Sequence, residues 1–475
     1  MSSLALGPLS NREPQYQKQN TLVVDEHGRL RFAALSRRVL CLPLEILAEI
    51  FVYCLPEDDF ITPSLTTAPL VLCGVCRQWR EVAGSTPKLW SSLAFDMQLA
   101  GSDAYIDLCR TWLLRARSTP LYLSLQDPDG QEPSKAALAL LQMIAQLSPQ
   151  WRNVDVDFGV ELTRLLSIVG FAQGGFDQLE KLAFACTTSP ESIISFSNAP
   201  RLREIFAPTY PHVASIEFPW AQITSFRTCD IGLASCFDIL GSASNLVNGT
   251  FEIRGDRSPA PASILSLNHL QSLSLSGLLV SESSTIPMTI ISNLKTPALT
   301  SLALRFASLY GRLHTWTTAA PFLSFVSRSA CQLRTLSLSL TPMNTDCLIS
   351  CLKAVPSLVH LKLEPLRVVD MGKVFAQLNG DTTFLPKLET LHVFFSAHTG
   401  VHTVDPQVVV RMLRWRWAAV EITRLRSFQM PSTSRTPFLD DEAATEFDRL
   451  KAEGMDLYLR ERRRDIDSFG TDYYF

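Results

Sequence analysis

A short leucine pattern recurs through most of this chain and restricts its possible folds more than any other feature. Downstream of residue 150, a lead apolar residue is repeatedly followed by two variable residues and then by alternating apolar ones. The clearest copies are Asn268–Ser276, Pro297–Leu304, Gln332–Leu340, Pro356–Leu363 and Pro386–Val393. Weaker copies are Gln178–Phe184, Arg201–Ala207, Gln222–Phe226 and Asn245–Phe251. Successive lead residues are 21–34 positions apart.

A Leu-x-x-Leu-x-Leu motif at this pitch is the signature of leucine-rich repeats. Its alternating part predicts one short strand per unit, and segments such as Phe322–Ser329 and Thr345–Lys353 predict helices on the outer face. Because one unit cannot bury its own apolar face, neighbouring units must stack into a curved solenoid with a parallel sheet. The pitch varies and asparagine is missing where regular repeats often have it, so the predicted α/β solenoid is irregular. An irregular α/β domain with similar strands is the alternative.

The ends of the array are marked by weaker patterns. Trp151–Val156 is interpreted as an earlier copy, and Arg424–Met430 as the last strand-like unit, which gives a leucine-rich-repeat-like domain over residues 96–435. The remaining residues, 436–475, predict a capping helix and a tail. Phe438–Gly454 has helical periodicity with Gly454 as its stop, and such a helix could hide the apolar edge of the last unit.

The N-terminal part has a different pattern, with a polar leader over 1–38 and short amphipathic helices over 39–95. A first helix begins at Pro43, has an apolar stripe, and stops at Leu55-Pro56. Residues 57–68 predict a loop, and a single second helix begins near Pro69. A cap at Ser85 or Thr86 then predicts a short third segment. The apolar positions of the three helices are Ile46, Leu47, Ile50, Phe51, Cys54, then Leu72, Val75, Cys76, Trp79, Val82, Ala83, then Leu89 and Trp90.

These residues resemble an F-box. The matching strings are Leu42-Pro43-x-Glu45-Ile46-Leu47-x-x-Ile50-Phe51, Leu72-x-x-Val75-Cys76-x-x-Trp79-Arg80-x-Val82-Ala83 and Thr86-Pro87-x-Leu89-Trp90. The form is similar to F-box proteins of mushroom-forming (basidiomycete) fungi, with a longer loop at 57–68 than in compact F-boxes. An ordinary helical hairpin packed on the rest of the chain is the alternative.

The resemblance implies that this domain docks on the Skp adaptor of a cullin-based ubiquitin ligase. It implies these adaptor-binding residues: Leu42, Pro43, Glu45, Ile46, Leu47, Ile50, Phe51, Leu55, Pro56, Leu72, Val75, Cys76, Trp79, Arg80 and Trp90.

Charge and motif content exclude several other classes of protein. The net charge of −3 gives no global field for nucleic acid or an anionic membrane, and no apolar run is long enough to span a bilayer. The eleven cysteines have no framework spacing, and no signal peptide is recognised, which favours a reduced cytoplasmic or nuclear protein.

Candidate chemical motifs have plainer interpretations. Cys73 and Cys76 lack a second pair at zinc spacing and are predicted to be core cysteines. His398 and His402 lie in a predicted surface loop without a third ligand. The basic and aromatic run Arg411–Trp417 is predicted to be a helix whose tryptophans pack inward, because its few cations make a weak nucleic-acid footprint. No phosphate loop or nucleophile elbow is present, so no catalytic residue, metal or cofactor is predicted.

The expected function is therefore that of a substrate adaptor and not of an enzyme. The F-box binds the Skp adaptor and, through it, a cullin, while the repeats bind an unidentified target protein. One alternative is a scaffold that binds the adaptor without directing ubiquitination. Another is a hydrolase within residues 100–260, where the repeat pattern is weakest and where a pocket with perturbed pKa values would be required.

Overall fold

The computed structural model of the chain describes residues 42–127, 134–158, 175–185, 194–208, 216–254, 263–279, 286–308, 318–339, 343–364, 369–395, 404–431 and 441–458. The leader at 1–38, the His398 and His402 pair and the tail beyond 458 lie outside these residues. Within the described ranges, no helix is both long and apolar enough to cross a membrane.

A single parallel sheet of fourteen strands runs through the described residues, and its strands follow one another in chain order. These strands are β1 Ser92–Asp96, β2 Leu121–Asp127, β3 Trp151–Phe158, β4 Lys181–Ala185, β6 Glu204–Ala207, β8 Ser225–Gly232, β9 Asn248–Arg254, β11 Ser272–Leu279, β13 Ser301–Ser308, β14 Thr335–Ser339, β15 His360–Glu364, β16 Thr390–Val393, β17 Ser427–Gln429 and β18 Asp456–Tyr458. The short strands β5 Ile194–Ser195 and β7 Ile216–Glu217 pair with each other, as do β10 Leu265–Ser266 and β12 Leu294–Lys295.

The α-helices lie in the N-terminal region and between strands. They are α1 Leu44–Tyr53, α2 Leu70–Val75, α3 Arg77–Ser85, α4 Asp103–Ala116, α5 Lys135–Gln146, α6 Leu233–Ser242, α7 Ile286–Ser292, α8 Ala320–Ser329, α9 Thr345–Lys353, α10 Met371–Leu378, α11 Pro406–Ala418 and α12 Asp441–Ala452. Short 3₁₀ helices are Pro87–Trp90, Met97–Gly101, Ser148–Gln150 and Trp220–Gln222. The predicted α/β class and parallel sheet are confirmed, whereas the leucine-rich-repeat solenoid stays a prediction.

The lead residues of the repeated motif explain the regular sheet. All of them are fully buried, and each comes shortly before a strand: Leu179, Leu202, Ile223, Leu246, Leu270, Leu299, Leu333, Leu358 and Leu388. Within β14 the side chains alternate, with Leu336 and Leu338 buried and Thr335 and Ser337 partly exposed. Because side chains in a strand point alternately to the two faces, the leucines of all units form one continuous core.

Backbone and side-chain hydrogen bonds join each unit to the one before it. The amides of Arg334 and Thr335 both donate to the carbonyl of Thr300, at 2.7 and 3.0 Å. Val359 and His360 repeat this arrangement on the carbonyl of Arg334. Side chains just before the lead residues add similar bonds: Gln222 Nε2 donates to the carbonyl of Ala199, Asn245 Nδ2 to that of Ala221 and Ser357 Oγ to that of Leu333. Varied polar residues thus link the units without an asparagine at a fixed position.

The sheet continues past both the first and the last copies of the motif recognised in the sequence. Strands β1 and β2 precede Trp151–Val156, and β2 pairs with β3. They escape the motif because Trp90 and Pro120, and not a leucine or isoleucine, stand three residues before Leu93 of β1 and Leu123 of β2. At the other end, α12 lies within the segment Phe438–Gly454 and ends before Gly454, whose φ is +101°. The chain then adds β18 to the sheet. The sheet therefore continues past Met430, and α12 connects its last two strands.

Helix α11 packs only partly as expected for Arg411–Trp417, since Trp417 contacts the core but an arginine of the run is buried more deeply than either tryptophan. Trp415 and Trp417 are only partly buried, whereas Arg416 is completely buried. Its Nε and Nη1 donate to the carbonyls of Leu378 and Leu385 at 2.9 Å, and Nη2 donates to that of Phe384. Three carbonyls at the end of α10 and in the following loop require donors. A guanidinium can supply all of them, whereas an indole has one N–H.

Candidate functional site

The N-terminal module is built around a small aromatic core. Leu47 and Phe51 lie one helical turn apart on α1 and are buried. The ring centroids of Phe51 and Trp79 of α3 are 4.8 Å apart, which joins the two helices. Leu72 of α2 is also buried. These apolar side chains, which the resemblance assigns to the adaptor contact, are therefore already packed within the chain.

A second face of α1 remains open. Ile46, Ile50 and Tyr53 recur at helical spacing on this face, and they are 50%, 42% and 87% exposed. We refer to these three residues as the α1 face. Leu44 at the start of the helix, together with Val71 and Val75 of α2, adds further exposed apolar side chains. Such a concentration of exposed large apolar residues in one small module is typical of a protein-binding surface.

The predicted second helix is two helices, and Cys76 lies at the break. Its backbone is extended, with φ −159° and ψ 172°, and its Sγ accepts a hydrogen bond from the amide of Trp79 at 3.5 Å. Arg80 Nε donates to the carbonyl of Cys73 at 2.8 Å, across the break. Hydrophobic periodicity cannot reveal this break, because the apolar positions continue through it. Cys76 caps α3, and Cys73 packs at the edge of the core as predicted.

The long loop 57–68 has a structural function that the sequence did not indicate. Ile61 is buried, and its carbonyl accepts a hydrogen bond from the amide of Ala94 in β1 at 2.8 Å. Ser92 Oγ accepts from the amide of Ile61 and donates to the carbonyl of Asp59, both at 3.0 Å. The loop therefore covers part of the free edge of β1, which would otherwise offer unpaired backbone groups.

Trp90 joins the N-terminal module to the array. It is fully buried, and its Nε1 donates to the carbonyl of Ala83 at 2.7 Å. The ring of Trp112 in α4 packs edge-on against it at 5.0 Å, and the guanidinium of Arg115 lies 4.4 Å from its centroid. The core is continuous from Leu47 into the sheet. The module and the array are therefore held rigidly together.

The structure divides the predicted adaptor-binding residues by exposure. Leu47, Phe51, Leu72 and Trp90 are buried; Leu42, Leu55, Pro56, Cys76 and Trp79 are partly buried; Pro43, Glu45, Ile46, Ile50, Val75 and Arg80 are exposed. Leu44, Tyr53 and Val71 are exposed apolar residues of the same module that sequence reasoning missed. Tyr53 lies seven residues after Ile46, a spacing that could have identified it. The adaptor-binding set itself stays a prediction.

Metal and redox chemistry gain no support from the described residues. They contain no group of three or more His, Cys, Asp or Glu side chains arranged to hold a metal ion. Burial raises the pKa of the Cys109 thiol to about 11 and that of Cys351 to about 12, which keeps both thiols protonated and unreactive at neutral pH.

Comparison with known families agrees with this arrangement. Residues 39–96 match a family model described as F-box-like, which covers α1 to α3, the loop 57–68, the Pro87–Trp90 turn and β1. No curated protein matches the chain. The chain carries an F-box-like domain at residues 39–96.

Proposed function

We propose that this chain is a substrate adaptor of an SCF-type ubiquitin ligase, with the F-box-like domain docked on a Skp adaptor and, through it, on a cullin. F-box domains generally bind the Skp adaptor. The observation that carries the proposal is the exposed α1 face within the matched domain. Ile46 and Ile50 project from a helix whose adjoining side, at Leu47 and Phe51, already forms the core. Buried and half-buried members of the predicted set hold α1 in place, and the exposed members make the contact.

The target protein would bind to the array, which we propose is an irregular leucine-rich-repeat solenoid. Its partly exposed polar strand side chains form a broad surface across successive units, as repeat proteins use. Trp90, Trp112 and Arg115 fix this surface relative to the F-box-like domain. A rigid connection would hold a target at a constant position relative to the ligase. The proposed site of action is the cytoplasm or nucleus.

A non-enzymatic role is consistent with the titratable groups of residues 100–260. Among the described residues there, burial raises the pKa values of Cys229, Cys236 and Glu252. For the two cysteines this shift favours the neutral thiol, which is the opposite of what an activated nucleophile requires. The proposal therefore assigns the chain binding functions and leaves ubiquitin transfer to its partners.

Replacing Ile46 and Ile50 with lysine is expected to abolish adaptor binding without unfolding the chain. Both side chains are about half exposed, so the change leaves the core intact. At a docked interface, each lysine would bury an unpaired charge, and loss of an apolar anchor typically costs about 2 kcal/mol or more. The combined variant should bind a purified Skp adaptor at least roughly a hundredfold more weakly in calorimetric titrations.

A suitable control is Leu323→Lys, which places the same charge at an exposed apolar residue of α8. This variant should bind the adaptor like the wild type, and all variants should have unchanged circular dichroism. Equal affinity of the Ile46→Lys/Ile50→Lys variant and the wild type would show that the α1 face is not the docking surface.

A further inference from the structure

Several charged side chains on the strands of the array are neutralised by a neighbour. Lys181 of β4 pairs with Glu204 of β6 at 2.9 Å, and these two residues are directly opposite in the sheet. Arg254 of β9 forms an ion pair with Asp230 of β8. In these places opposite charges on adjacent strands satisfy each other, which leaves little net charge to attract a ligand.

Strands β15 and β16 differ, because basic side chains gather there without a close acidic partner. His360 and Lys362 are exposed on β15, and His392 of β16 lies beside Lys362 in the sheet register. Among the described residues, no carboxylate lies within ion-pairing distance of Lys362. Its Nζ lies 5.0 Å from the ring centroid of Phe394, and the His392 ring packs edge-on against the same phenyl at 6.3 Å. We call His360, Lys362, His392 and Phe394 the Lys362 cluster.

The nearest carboxylates do not cancel this cluster. Glu364 follows Lys362 by two positions on the same strand, where it is partly exposed. Asp456 of β18 influences His392 only at longer range, and its Oδ2 accepts a hydrogen bond from Ser427 Oγ at 2.8 Å. The Nε2 atom of His392 is buried and has no hydrogen-bond partner among the described residues. The cluster therefore retains an exposed, unpaired cation and a buried polar atom without a hydrogen-bond partner.

The cluster also lies in a continuous row of polar side chains. Ser337, Lys362, His392, Gln429 and Tyr458 occupy matching register positions on five successive strands, β14 to β18. Adjacent strands are about 4.8 Å apart. An extended peptide lying across the strands would therefore contact the ammonium group of Lys362 near one end of this row. It would then contact the amide of Gln429 and, at the other end, the phenol of Tyr458.

We propose that the Lys362 cluster and its row form a docking site for an acidic, Asp/Glu-containing segment of a target protein. This inference rests on the proposed function, because it specifies the chemistry of the target that the adaptor would hold. A carboxylate would pair with Lys362, which Phe394 holds in position. Burial, followed by the nearby Lys362, lowers the pKa of His392, which favours its neutral form and leaves Lys362 as the fixed cation of the row. One charge matches a carboxylate better than a dianionic phosphate or a nucleic acid.

The test uses the full chain and a fluorescein-labelled peptide of alternating glutamate and glycine, with fluorescence anisotropy as the readout. Lys362→Gln should weaken binding roughly tenfold, as expected for loss of a charge-assisted contact of about 1.4 kcal/mol. Lys362→Arg should retain binding, and Lys181→Gln, the matched change at a paired lysine of the sheet, should have no effect. A peptide with glutamine in place of glutamate should not bind.

Equal binding by Lys362→Gln and the wild type, or equal binding of the glutamine peptide, would overturn the inference. So would tight binding of a peptide with phosphoserine in place of glutamate when the glutamate peptide does not bind. Adaptor affinity is measured on the same protein samples. A wild type that binds the Skp adaptor but not the glutamate peptide refutes this inference alone, whereas failure to bind the adaptor refutes the proposed function.

Discussion

An Arg416→Met variant is expected to be one of the least stable single substitutions in this chain. Methionine fills similar apolar space but leaves the carbonyls of Leu378, Phe384 and Leu385 without their donor. Each buried carbonyl left unpaired costs about 1–3 kcal/mol. Burial of the guanidinium has its own cost, visible in the pKa of Arg416, which burial lowers to about 10. Removing that cost offsets part of the loss, so the expected net destabilisation is about 3 kcal/mol.

Urea unfolding followed by tryptophan fluorescence measures this effect as a lowered midpoint. Arg414→Met is the matched control, because Arg414 is on the same helix but is exposed and 3.4 Å from Glu446. Loss of such a surface pair should change stability by less than about 1 kcal/mol. If Arg416→Met unfolds at the same urea concentration as Arg414→Met, the buried guanidinium does not hold α11 on the array.

A Trp90→Ala variant is expected to destabilise the chain by about 3–5 kcal/mol, the usual cost of removing a large buried aromatic residue. The change creates a cavity between the F-box-like domain and the array, and it removes the donor to Ala83 and the packing partner of Trp112 and Arg115. Because Trp90 contacts both sides of the junction, its removal should destabilise α3 and α4 together.

Hydrogen exchange resolved by mass spectrometry tests this coupling directly. Amides of both α3 and α4 should exchange faster in Trp90→Ala than in the wild type, while those of β14 to β16 should change much less. Trp417→Ala serves as the control, since Trp417 is only half-buried and bonds to Glu453 near the far end of the sheet. Faster exchange confined to α3 alone would mean that the junction does not transmit stability.

The sequence predicts the array well because one physical cause dominates it. Lead residues such as Leu333 and Leu358 must be buried at every unit, so a short alternating pattern marks each strand. Structural features that depend on polar groups or on backbone conformation produce no repeated pattern of residue types in the sequence. The inward position of Arg416, the break at Cys76 and the edge-covering role of Ile61 depend on carbonyls and amides from distant residues. Strands β1 and β2 were missed because a tryptophan and a proline, Trp90 and Pro120, stand where the other units have a leucine or isoleucine.

For the candidate site, the sequence located the module but not its orientation. The stripe Ile46, Leu47, Ile50 and Phe51 reads as one apolar face of a helix. In the structure, Leu47 and Phe51 face the core, and Ile46 and Ile50 face outward. The apolar stripe is wide enough to contact both the core of the chain and a second protein. The sequence cannot show which of its residues contact the core and which contact the other protein. The packing of Trp79 against Phe51 distinguishes the half of the stripe that faces the core from the half that faces outward.

The most direct test of the proposed adaptor function is isothermal titration of the purified, folded chain with a purified Skp adaptor, together with size-exclusion chromatography of the mixture. We expect a single complex with one copy of each protein, lost in the Ile46→Lys/Ile50→Lys variant and retained in Leu323→Lys. A folded wild-type chain that releases no heat and elutes separately from the adaptor would contradict it.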